Sequence, residues 1–142
     1  MRLFVVGVVL LWTATLTVFD VRHRRLPNAL TLPGAVAVLA VAAWCGHGMP
    51  ALAGALGLAG LYLVVHLVFP AGLGAGDVKL ALGVGGLTGA FGPDVWLLAA
   101  LGAPVLTALL AVVIAVSDRT TTVPHGPSMC LASLAAAALA VF

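Results

Sequence analysis

Glutamate is missing from this chain altogether, and the whole acidic inventory is four aspartates, Asp20, Asp77, Asp94 and Asp118. Charged residues make up only 7% of the 142 residues, against about 25% in an ordinary soluble domain. So little polar surface cannot coat a water-facing body, and a composition 63% hydrophobic makes lipid the expected solvent. Basic residues are equally scarce and form no stripe, so nucleic-acid binding is not expected. The two cysteines, Cys45 and Cys130, stand apart rather than in a Cys-x-x-Cys pair, which removes support for a structural zinc site. Each is expected to be buried as a small apolar side chain. No internal repeat or low-complexity linker divides the chain, and a single domain over residues 1–142 is expected.

Long apolar runs are what the chain has instead. A membrane-crossing helix needs about 20 mostly apolar residues. Six candidate spans follow: Leu3–Phe19, Ala29–Cys45, Ala51–Phe69, Val78–Phe91, Val95–Ser117 and Ser128–Phe142. The fourth and sixth are short, and the fourth carries Gly83, Gly85, Gly86 and Gly89. The first run exceeds a secretory h-region of about 7–15 residues and no Ala-x-Ala-like site follows it, so it reads as a retained helix. The expected fold is all-α, a polytopic integral membrane bundle of about six helices. Leu26-Pro27-Asn28 interrupts helical geometry, Thr31 is expected to cap the second helix, and Pro33 then falls in its first turn. In the third span Ala51, Ala55 and Ala59 recur every four residues, and Gly54, Gly57 and Gly60 every three. Small residues so spaced let helices pack closely in lipid.

Charge placement gives an orientation. The first connection holds Arg22, His23, Arg24 and Arg25, the third Lys79, and the fifth Arg119, so five of the six Lys and Arg residues lie on odd connections. The second and fourth connections carry none. By the positive-inside rule the odd side is cytoplasmic and both chain ends are outside, in a multi-pass protein of the cell (inner) membrane. Asp20, closing the first span, and Asp77, opening the fourth, then share the cytoplasmic face.

Two carboxylates held close together share a proton, and such a pair can activate a water and protonate a leaving amine in turn. Asp77 stands within Gly74-Ala75-Gly76-Asp77-Val78-Lys79, where Gly74 and Gly76 permit backbone conformations closed to other residues and let a substrate backbone approach. The plain structural reading has Asp20 capping a helix end beside Arg22 or Arg24, and Asp77 paired with Lys79. Asp94 and Asp118 read as solvated turn residues. His66 lies inside the third span and is expected to bond a neighbouring backbone rather than relay protons. No His-x-x-x-His pair exists among His23, His47, His66 and His125, so no metal or other cofactor is expected. Ser117, Ser128 and Ser133 have no positioned base for serine catalysis.

The stretch Asp20-Val-Arg-His-Arg-Arg-Leu-Pro27-Asn28-Ala-Leu30-Thr31 resembles the first signature of the type IV prepilin peptidases. Gly74-Ala-Gly76-Asp77-Val78-Lys79-Leu80 is similar to that family's Gly-x-Gly-Asp signature, and Pro124-His-Gly126-Pro127 resembles a looser third block, commonly Pro-Phe-Gly-Pro. The resemblance covers essentially the whole chain. It implies a membrane bundle with a cytoplasm-facing aspartyl pair, Asp20 and Asp77, shaped by Pro27, Asn28, Gly74, Gly76 and Lys79. It also implies substrates that are prepilin-like, with a short basic leader before a hydrophobic helix. Long bifunctional members add an N-terminal region with a Cys-x-x-Cys zinc site; the first span here starts at Leu3, and methyltransferase activity is not expected. The alternatives are a small proton-coupled transporter using the two aspartates as a relay, and a catalytically inactive membrane component of pilus assembly.

Overall fold

With lipid as solvent, each apolar run has to satisfy its own backbone, and all six fold as α-helices. The structure, a computed structural model, describes residues 2–117 and 122–141. The elements are α1 (Arg2–His23), α2 (Asn28–Trp44), α3 (Gly48–Val68), α4 (Ala75–Ala90), α5 (Pro93–Ser117) and α6 (Gly126–Val141), with no strand among the described residues. Asp118 and Arg119 of the fifth connection, and Phe142 at the end of the sixth span, lie outside the described residues.

Three helices are long and apolar enough to cross a membrane: Phe4–His23 within α1, then α3 and α5. Their outward faces carry side chains such as Phe4, Leu11, Leu67 and Val116, all exposed, as suits a lipid solvent. α4 has 16 residues, a rise of about 24 Å, short of a hydrocarbon core of about 30 Å. It is an inner helix, packed on α2, α3, α5 and α6, with residues 80, 81, 83–86, 88 and 89 buried.

Glycine is what lets α4 sit inside. A Cβ at Gly89 would stand 2.7 Å from Pro50 O and 2.9 Å from Gly54 Cα, so α3 and α4 meet backbone to backbone. Ala51, Ala55 and Ala59 are buried along the same face of α3, as expected. The glycine row serves only in part: Gly60 faces open space and Gly57 meets only Trp96. Two of the three indoles fill glycine notches. Trp96 Nε1 donates to Gly54 O at 2.9 Å, and Trp12 Nε1 donates to Leu30 O at 2.8 Å. The Trp12 ring occupies the space that a Cβ at Gly34 or Gly83 would need, joining α1 to α2 and α4.

Several boundaries and placements differ from expectation. α1 runs past Phe19 to His23, because Asp20-Val-Arg-His contains nothing that breaks a helix; Arg24, in the left-handed region at φ 52°, ends it. α2 begins at Asn28, with Pro27 as N-cap in extended geometry (φ −69°, ψ 131°) and no side-chain cap. Thr31 is therefore inside the helix, fully buried, donating to Pro27 O at 3.3 Å. Pro33 likewise sits in the interior rather than the first turn. Cys130 is buried as expected, but Cys45 is exposed, because it follows the last residue of α2 at the far end of the bundle. Asp94 is exposed, in the first turn of α5 rather than in a turn before it.

Candidate active site

Among the described side chains of α1, Thr13, Leu16 and Asp20 are the buried ones, spaced three and four apart and so on one face. Asp20 is 8% exposed, a carboxylate continuing the inward face of an otherwise apolar helix. It lies near the C-terminal end of α1, where that helix's dipole disfavours negative charge. Its partner comes from elsewhere. The amide of Gly126, the first residue of α6, donates to Asp20 Oδ2 at 3.0 Å. Asp20 thus caps α6 from another helix, using one of the orphan N–H groups every helix N-terminus leaves. A Cβ at Gly126 would fall on that carboxylate, which explains the glycine.

Asp77 is at the third position of α4, and the Gly74 amide donates to its Oδ2 at 3.3 Å. An acid there is favoured by the helix dipole. Each aspartate is therefore seated at a helix N-terminus, Asp20 on α6 and Asp77 on α4. α1 and α4 supply the two acids, and α6 packs against both helices. Cys130, one turn beyond Gly126 on the same face, is buried and lies within electrostatic reach of both carboxylates. The two aspartates also lie within electrostatic reach of each other, and Arg24 within reach of Asp20.

The first and second sequence blocks meet at this end of the bundle. Lys79 Nζ donates to Asn28 Oδ1 at 2.8 Å, so it ties α4 to the start of α2. Gly76 packs on Leu26, where an added Cβ would stand 3.1 Å from the Leu26 Cβ. Pro27 is the N-cap between them. The expected reason for the glycines needs correcting. Gly74 has φ −73°, open to any residue, and positive φ among glycines occurs at Gly46 and Gly92. Gly76 serves close approach by Leu26, not unusual backbone geometry.

His66 bonds a backbone, as expected: its Nδ1 lies 2.6 Å from Leu73 O. Arg24 donates to Thr122, joining the first connection to the fifth. Three residues near the aspartates had no site role in the sequence reading: Cys130, Tyr62 and His125. Tyr62 is the chain's one tyrosine, set in an apolar helix, and that isolation was a usable signal, since a buried phenol needs a partner. Its partner is His125 Nε2 at 2.8 Å. Among the described residues no group of three or more His, Cys, Asp or Glu side chains is gathered as a metal site.

The model of the Type IV leader peptidase family matches residues 7–141, taking in all six helices and both aspartates. No curated protein and no solved structure matches the chain. A family match over nearly the full length, on a bundle with three helices able to cross a membrane, identifies the kind of molecule: this chain belongs to the Type IV leader peptidase family, as an integral membrane protein with a leader-peptidase-like function.

Proposed function

We propose that the chain is an intramembrane aspartic endopeptidase that removes the short basic leader from type IV pilin-like precursors, with Asp20 and Asp77 activating water. What carries the reading is that the two carboxylates, Asp20 from α1 and Asp77 from α4, lie within electrostatic reach of each other, with Asp20 held by the first amide of α6. In the proposed mechanism the two acids carry one proton between them, a property of the pair rather than of either residue. The ionised member takes a proton from water as the water oxygen bonds the scissile carbonyl carbon, and the protonated member gives its proton to the carbonyl oxygen. Collapse of the tetrahedral intermediate breaks the C–N bond: the first acid gives its proton to the leaving amine while the second, now ionised, takes one back from a hydroxyl of the gem-diol, which restores the pair. The N-terminal dipoles of α4 and α6 favour negative charge at this site.

The same end of the bundle carries Arg22, Arg24, Arg25 and Lys79, whereas the turns at residues 45–47 and 91–92 have no Lys or Arg. This supports a multi-pass topology with the aspartates at the cytoplasmic face of the inner membrane and both chain ends outside. A leader still in the cytoplasm, preceding a helix already in the bilayer, would then meet the acids at the membrane edge. The test is co-expression with a candidate prepilin, following leader removal by gel mobility and N-terminal sequencing. Cleavage by the unaltered chain and none by an Asp77→Asn chain of equal abundance is the expected result. An intact precursor beside an abundant unaltered chain would sink the reading.

A further inference from the structure

His125 immediately precedes α6, its carbonyl accepting the Met129 amide at 3.1 Å, so it stands at the N-cap. Its ring joins two other helices. Nδ1 lies 2.6 Å from Thr107 Oγ1 on α5, and Nε2 lies 2.8 Å from Tyr62 Oη on α3. The Thr107 hydroxyl spends its proton on Ala103 O at 3.0 Å, so it accepts from His125 Nδ1–H. Nε2 then carries the lone pair, and the Tyr62 hydroxyl donates to it. One neutral imidazole thus pins α3 and α5 to the start of α6, and the next residue, Gly126, holds Asp20 of α1. Tyr62 in turn lies within electrostatic reach of Asp77.

We infer that His125 is a positioning residue for proteolysis: clamped between Thr107 and Tyr62, it fixes the α6 N-terminus so that the Gly126 amide holds Asp20 in register with Asp77. The inference rests on the aspartyl-peptidase reading above. Packing on α5, α4 and α1 sets α6 as a whole. The two His125 bonds, to α3 and α5, hold its first residue, where the Gly126 amide meets Asp20. Misplacing a catalytic group by about 1 Å costs about 10²-fold in rate, so the clamp has a kinetic consequence well beyond its share of stability.

The test uses the full chain in lipid vesicles and a synthetic peptide with a basic leader, a glycine and an apolar helix. His125→Phe installs the ring that the third block commonly carries, but in this chain it removes both bonds and leaves the buried Tyr62 hydroxyl without its partner; His125→Gln keeps an acceptor for Tyr62. Thr107→Val removes one bond with little change of shape, in case His125→Phe does not fold. Expected is a fall in kcat of at least about tenfold for His125→Phe, with KM nearly unchanged, a smaller fall for Thr107→Val, and recovery of most of the activity in His125→Gln. A second measurement needs no catalysis: hydrogen exchange at the Gly126 amide, followed by NMR with labelled glycine. His125→Phe should exchange at least about tenfold faster there than the unaltered chain, and His125→Gln close to it. Unchanged kcat in His125→Phe, or lost kcat with Gly126 protection intact, overturns the inference. An unaltered chain that leaves the peptide uncut defeats the peptidase reading instead, and the exchange measurement still decides whether His125 holds the Gly126 amide.

Discussion

The amide of Gly126 and the carboxylate of Asp20 meet at 3.0 Å across 106 residues of sequence. This bond places a negative side chain from the unfavourable end of one helix at the favourable end of another. It also makes the start of α6 part of the candidate site, although Pro124-His-Gly126-Pro127 contains no acid, and it accounts for a glycine where a side chain would overlap the carboxylate.

Gly126→Ala should therefore disable processing without removing any acid. The new Cβ has to push Asp20 aside, and displacement of a catalytic group by about 1 Å predicts a rate loss of about 10²-fold. Leader removal in membranes, scaled to chain abundance, measures it. Gly60→Ala is the matched control: nothing lies within 4 Å of its Cβ, and replacing a mid-helix glycine should leave stability equal or raise it by about 0.5–1 kcal/mol.

A second glycine tests the frame that carries Asp77. A Cβ at Gly54 would meet the Gly89 Cα at 2.7 Å and the Gly85 carbonyl, both backbone atoms that cannot rotate away. Gly54→Ala should force α3 and α4 apart and cost about 1–3 kcal/mol, read from thermal unfolding in micelles. Gly57→Ala, whose Cβ would touch only the edge of Trp96 at 3.4 Å, should cost clearly less. Equal effects would mean that the α3–α4 contact is looser than this geometry.

Much of this was legible in sequence order. Lipid solvation makes apolar length and helix nearly synonymous, so six helices could be read directly, and charges rare enough to count one by one led to Asp20 and Asp77. Relationships across the bundle were not legible. Nothing local to Trp12 says that its ring will lie against Gly34 and Gly83, and nothing local to Gly126 says that its amide faces Asp20. Tyr62, His125 and Thr107 come from three separate stretches of the chain, and although His125 lies in the third block, nothing local pairs it with the other two. Local rules misled twice. Pro33 sits inside α2 and Thr31 is buried rather than capping, because Pro27 already starts that helix. Gly76 is small for the sake of Leu26, not for its own backbone.

Acid should weaken the clamp around His125. Burial lowers the ring's pKa below its ordinary 6.5, so the neutral form belongs to the folded state. The unfolded chain then takes up the proton first as the pH falls. This part of the stability is fully present above pH 6.5 and is lost below it, down to the lowered folded value. For one proton the slope cannot exceed about 1.4 kcal/mol per pH unit. Thermal unfolding of the unaltered chain and of His125→Phe, compared on either side of pH 6.5, isolates the effect. The stability gap between the two should shrink on the acid side; a constant gap would exclude a buried neutral imidazole.

Topology gives an independent check. A reporter inserted among Arg22–Arg25 should read as cytoplasmic, and one fused after the C-terminal residue as external, because Lys and Arg cluster on the odd connections. A cytoplasmic C-terminal reporter on a chain that still cleaves its substrate would remove one crossing, with the 16-residue α4 the first suspect.

The aspartates themselves carry the decisive prediction. Asp20 and Asp77 both have structural work to do, one capping α6 and the other in the first turn of α4, so loss of either acid could act through folding or through chemistry. Asparagine separates the two. Its amide oxygen still accepts from the Gly126 or Gly74 amide, so Asp20→Asn and Asp77→Asn should each insert and reach normal abundance. Neither can take a proton from water, and the proton-transfer step alone is worth about 10²–10⁴-fold. Processing should therefore be nearly abolished in both, while exposed Asp94→Asn retains it. On the proposed dyad mechanism the two acids act as a unit, so the double variant should be scarcely slower than either single one. Prepilin cut at close to the normal rate by Asp20→Asn would leave that residue a helix cap and nothing more. If Asp20→Ala and Asp20→Asn were equally inactive but only the alanine chain were scarce, capping and catalysis would be separated at a single carboxylate.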